Sequence, residues 1–124
     1  MSHKNSKQFG VWMDTQHAIV VGKENESGTF SVLGHVSNEN VNGNSSEKNA
    51  NNAEQSAQLK FFKEIAALMT NAEEVHVTGT GTSQEQFIHF LADTPQYKNV
   101  IAKETTANKM SDEKLLEFIS EKFN

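Results

Sequence analysis

The chain has 124 residues, no cysteine and a formal net charge of −5. That length suits one domain with a core of its own, and the missing thiols exclude disulfides, thiolate nucleophiles and cysteine-held zinc. The acidic balance argues against DNA and against broad nucleic-acid binding, because phosphate contacts need clustered basic side chains. It leaves room for a local basic patch. No segment reaches membrane-spanning length, so no membrane partner is expected. Met1 to Gln8 is polar and lacks the apolar run of a signal peptide, which makes the cytoplasm the expected compartment. Residues 1–8 are expected to be flexible, and residues 9–124 to form the single domain.

Three short strands open the domain. Phe9 to Met13 meets a polar turn at Asp14-Thr15-Gln16, and His17 to Val21 is apolar throughout from Ala18, as expected of a strand covered on both faces. Asn25-Glu26-Ser27-Gly28 marks a second turn before Thr29 to Val36, where Phe30, Val32 and Gly34 are expected on one face. Two short turns joining three strands imply an antiparallel meander. From Ser37 to about Asn52 asparagine dominates around a lone Val41. Such a stretch cannot bury enough surface to offset its ordering entropy, so a mobile loop is expected over residues 37–52.

A helix comes next over residues 53–70, with Leu59, Phe62, Ile65, Ala66 and Met69 at helical spacing and Asn71 as its stop. Val75 and Val77 then alternate with polar neighbours in a buried strand that ends in Gly79-Thr80-Gly81. Thr82 and Glu85 have the spacing of a capping box, and Phe87, Ile88, Phe90 and Leu91 supply the apolar face of a second helix. Asp93-Thr94-Pro95 ends it. Asn99 to Ala102 reads as the last strand. Ser111 caps a third helix whose buried face is Leu115, Leu116, Ile119 and Phe123. The order βββαβαβα gives an α/β domain: a mixed five-stranded sheet of the ribonuclease H-like kind, with helices on both faces.

Metal-dependent nuclease chemistry is rejected, because several acids must converge on one or two magnesium ions. Asp14 is the one acid well placed for such a cluster; its favoured role is to cap its own turn. Glu64 has no acidic counterpart where the fourth strand ends in Thr78-Gly79. The five histidines lack the spacing of helix-borne ligands, although His17 and His35 lie on neighbouring strands. No metal site and no cofactor are expected. Gly79, Thr80, Gly81 and Thr82, at a helix amino terminus, are a candidate anion-binding turn, but without the lysine of a phosphate loop or the third glycine of a dinucleotide fingerprint. A structural turn is the favoured reading.

Thr78-Gly79-Thr80-Gly81 leading into Glu85-x-Phe87-x-x-Phe90-Leu91 resembles the glycine-rich turn and helix in the central domain of Pelota and the archaeal-eukaryotic class-1 release factors. Val11 to Val20, a hydrophobic strand, Asp14, a turn and then Ala18-Ile19-Val20, is similar to that domain's opening hairpin. The resemblance runs over almost the whole chain in the same order. It implies a stand-alone, bacterial-type version of the domain, with a ribonuclease H-like fold and the ribosome or tRNA as partner. In release factors a Gly-Gly-Gln loop before the first helix positions the water that attacks the peptidyl-tRNA ester. Here Ala53-Glu54-Gln55-Ser56 stands at that place. Gln55 falls on the glutamine position, but both glycines are replaced and with them the backbone freedom they give. Lys48, Gln55, Ser56 and Lys60 become the candidate RNA- or ribosome-contacting residues.

The expected function is accordingly a translation-associated, non-enzymatic domain. Two alternatives stand beside it: a peptidyl-tRNA ester hydrolase using Gln55 as its catalytic residue, and an acidic protein-interaction or self-associating module with no RNA role.

Overall fold

A computed structural model describes residues 7–23, 30–38, 50–69 and 71–123, with the side chains of residues 50–57 outside that description. The turn expected at Asn25–Gly28, Lys48 and most of the Asn-rich loop also lie outside the described residues. Among the described residues five strands and three helices occur in the expected order: β1 (Gln8–Met13), β2 (His17–Lys23), β3 (Phe30–Ser37), α1 (Ala50–Ala67), β4 (Glu74–Gly79), α2 (Thr82–Asp93), β5 (Ile101–Thr106) and α3 (Asp112–Phe123).

The strands form one mixed sheet in the order β3-β2-β1-β4-β5. β1, β2 and β3 are joined antiparallel, whereas β4 runs parallel to β1 and β5 parallel to β4. Parallel neighbours need a crossover. α1 carries the one from β3 to β4, and α2 carries the one from β4 to β5.

Strand alternation divides the core into two layers. Phe9, Val11, Met13, Ala18, Val20, Val75 and Val77 face α1 and α2, while Trp12, Ile19 and Val21 face α3. Covering both faces explains why β1 and β2 are apolar without interruption. On the first face Phe62 meets Phe87 edge-on at 5.4 Å and Phe90 at 5.6 Å, which locks α1 against α2. Tyr97 reaches under α1, and its buried hydroxyl donates to the Ala66 carbonyl at 2.8 Å. On the second face Leu115 and Ile119 are fully buried. Each contributes roughly 1.5–3 kcal/mol, which holds a 12-residue helix too short to persist alone. Ile119 also fills the space above Gly10, where any Cβ would overlap it.

Local signals behave as their chemistry requires. Asp14 Oδ1 accepts the N–H groups of Gln16 and His17 at 2.8 and 2.7 Å, closing the first hairpin. Ser111 Oγ accepts the Lys114 N–H at 3.2 Å and caps α3. Asn71 adopts φ 61°, the left-handed region that asparagine tolerates best among residues with a side chain.

Several expectations need correction. β5 spans Ile101–Thr106 rather than 99–102, and α1 spans Ala50–Ala67 rather than 53–70, so Ser37 belongs to β3 and residues 50–52 to α1 rather than to the expected loop. Leu59 is 45 % exposed, so the buried stripe of α1 is Phe61, Phe62, Ile65, Ala66 and Met69. Gly34 does not share a face with Phe30 and Val32. The register passes from Val20↔Gly34 to Val21↔Val32, so Leu33 is an extra residue, and this bulge turns Gly34 toward Leu68 of α1. Finally, the α2 cap is Gly81, and the residue that reaches back is Gln84 rather than Glu85.

Candidate functional site

Two places carry the candidate residues. The first is the turn from β4 into α2. β4 ends at Gly79, whose missing side chain lets it lie directly against the Met13 carbonyl of β1; a Cβ there would overlap that oxygen. Beyond it Thr80, Gly81 and Thr82 are exposed. The Gly81 N–H donates to Gln84 Oε1 at 3.2 Å. Gln84 is fully buried, and its Nε2 donates to the carbonyls of Gly79 at 3.2 Å and Thr105 at 3.1 Å. One amide thus ties the end of β4, the start of α2 and the end of β5 together. The Gly79 carbonyl also accepts the Ala107 N–H at 2.7 Å. Nearby, Trp12 Nε1 donates to the Ala107 and Asn108 carbonyls at 3.3 and 3.2 Å, so the segment after β5 is pinned across the same end of the sheet.

The second place is α1. Gln55 and Ser56 belong to the helix itself, in its second turn, rather than to a loop before it. Lys60 is exposed on the same helix and has no ion pair among the described residues. A groove of about 420 Å³ runs between α1 and α2, lined by Gln58, Leu59, Phe62, Gln86, His89 and Phe90. Gln58 Nε2 donates to Gln86 Oε1 at 2.9 Å across it. No described hydrogen bond or ion pair joins Lys60 to the glycine turn.

The histidines have separate surroundings. His17 lies 3.9 Å from Asp14 and His35 3.1 Å from Asp112, each with its own carboxylate. His76 is buried between β5 and α3, with Nε2 at 2.9 Å from Thr105 Oγ1 and its ring edge-on to Phe118 at 5.9 Å. Burial, with Lys122 and Lys103 adding repulsion, lowers its pKa below the ordinary 6.5. Among the described residues no three acidic or histidine side chains converge as a metal site would require. Sequence reasoning missed Gln84 and His76. Glutamine three residues after Gly81 was the available signal for the first; a polar residue between Val75 and Val77 signals nothing by itself.

Solved structures that share this architecture include the following three. Pelota from Thermoplasma acidophilum matches with a TM-score of 0.63 and 21 % identity over 93 % of this chain. The archaeal translation termination factor aRF1 matches at 0.62 and 13 % over 97 %. Pelota from Archaeoglobus fulgidus matches at 0.60 and 15 % over 94 %. The fold is Pelota- and release-factor-like. This agrees with the resemblance drawn from the glycine turn and the opening hairpin. The chain spans about a third of the length of each of these proteins: 32 %, 36 % and 31 % respectively. No family model matches the sequence, and no curated protein does.

Proposed function

We propose that this domain works in translation, in the cytoplasm, by contacting the ribosome or tRNA without catalysing a reaction. The observation that carries the reading is the agreement of nearly the whole chain, 97 %, with a translation termination factor. The contact surface in this reading is the amino-terminal half of α1 and the residues before it, with Lys48, Gln55, Ser56 and Lys60 as its polar groups. Lys60 supplies an exposed positive charge with no ion pair among the described residues, the kind of group that meets a phosphate. The glycine turn serves as scaffold, because the Gly81 N–H that would greet an anion is already accepted by Gln84.

The non-enzymatic reading is supported by the backbone around Gln55. A residue inside a helix has fixed φ and ψ, and Ala53 and Glu54 lack the freedom of paired glycines. Gradient fractionation of a lysate tests the proposal. The protein is expected in ribosomal fractions at low salt, and confinement to the free fraction would contradict it.

A further inference from the structure

Away from α1 and α2, where β1, β4 and β5 begin and the last turn of α3 ends, lies a second cavity of about 410 Å³. Its walls combine Val75, Ile101 and Phe123 with Gln8, Glu74, His76, Lys103 and Lys122. Nothing in the glycine turn or the α1 surface accounts for it.

The charges in this cavity are unevenly satisfied. Glu74 Oε1 already accepts the Gln8 side-chain N–H at 2.9 Å. Lys103 on β5 and Lys122 on α3 have no carboxylate within ion-pair distance among the described residues. Lys122 instead lies 5.1 Å from the Phe118 ring, and its place in the last turn offsets the negative end of the helix dipole. With Glu74 counted, the groups lining the cavity carry a formal excess of one positive charge. Ile101, 54 % exposed on an edge strand, adds an apolar surface that the described residues leave open. Two ammonium groups from different elements beside an apolar wall make a site with one charged and one greasy end.

We propose that this cavity binds a small organic anion, a carboxylate or phosphate monoester with an apolar body, its charge between Lys103 and Lys122 and its body against Ile101 and Phe123. His76 lines the cavity and reports occupancy. Lys122 and Lys103 disfavour its protonation, so an anion that neutralises them raises its pKa. Glu74 is the other charged group facing the ring's end of the cavity, and it stays on Gln8.

Phenyl phosphate is the test ligand, with inorganic phosphate and tRNA as comparisons, read by calorimetry and by the His76 ring signals in NMR. The expected result is saturable phenyl phosphate binding with a Kd of about 1 mM or tighter, an upward move of the His76 pKa, and binding at least about tenfold weaker for inorganic phosphate, which has no apolar body. Lys103→Gln/Lys122→Gln should weaken phenyl phosphate at least about tenfold, while Lys98→Gln, outside the cavity, leaves it unchanged. Both cavity lysines are exposed, so the double variant should fold, which its amide spectrum checks. No saturation by about 10 mM, binding untouched in the double variant, or binding of tRNA alone would overturn the proposal.

Discussion

Gln84 and Gly79 are fitted to each other twice over. The Gln84 amide donates to the Gly79 carbonyl at 3.2 Å, and a Cβ on Gly79 would come within 2.9 Å of Gln84 Oε1. The turn most recognisable in the sequence is therefore held by a residue three positions beyond its last glycine. Gly79 is explained by its approach to the Met13 backbone and to the buried amide, with no ligand required, whereas a Cβ on Gly81 would meet nothing within 4 Å.

Gln84→Leu keeps the volume but removes three hydrogen bonds, leaving the Gly81 N–H and the Thr105 carbonyl without this partner. Urea unfolding should show a loss of about 2–4 kcal/mol. Gln84→Glu should be informative through pH. Its carboxylate would face two carbonyl oxygens, which raises its folded pKa above the ordinary carboxylate value. The variant should be least destabilised at acid pH and lose stability as pH rises from the ordinary value through the raised one. A flat profile would remove the amide from its assigned role.

Gly79→Ala and Gly10→Ala should differ in kind. The first puts a methyl group into the Met13 backbone carbonyl, which cannot move without parting β1 from β4. A loss of at least about 3 kcal/mol, or failure to fold, is expected. At Gly10 the obstacle is the Ile119 side chain. Gly10→Ala/Ile119→Ala should then be more stable than the sum of the single losses, with a coupling of about 1 kcal/mol in a double-mutant cycle. Additive losses would mean that α3 does not press on Gly10.

His76 sets a pH dependence of known sign. Its folded pKa lies below the ordinary 6.5, chiefly through burial. Above 6.5 the ring is neutral in both states and the full stability is present. As pH falls from 6.5 toward the folded value, the unfolded chain takes up the proton first and stability declines. Comparing unfolding at pH 7 and pH 5 with that of His76→Gln checks this: the variant should lose less stability on acidification. An equal loss would assign the acid sensitivity to other groups.

Most of the fold was legible because its signals are local. Apolar runs in β1 and β2 announce burial on both faces, Asp14 closes its own hairpin, Ser111 caps α3, and strand-helix alternation gives the two parallel additions to the sheet. The misread parts depend on partners distant in sequence. β5 is an edge strand with Ile101, Lys103, Glu104 and Thr106 exposed, so its residues carry no burial pattern, and Val100 to Ala102 drew the boundary too early. Thr82 and Glu85 imitate a capping box one residue out of register because Gly81, the true cap, has no side chain to advertise. The bulge at Leu33 reverses the face of Gly34, and only pairing with β2 reveals it. At the candidate site, Lys60 was legible as an exposed charge. The cavity of Lys103 and Lys122 was not, since it joins β5 to the end of α3 across 19 positions of sequence.

The central claim, contact with the translation machinery, is tested most directly by pelleting purified protein with purified ribosomes at low and moderate salt, beside Lys60→Glu. The account predicts that the protein pellets with ribosomes at low salt, less so as salt rises, and that Lys60→Glu reduces the bound fraction without altering stability. Protein that stays in the supernatant at both salt concentrations, with or without the substitution, would contradict it.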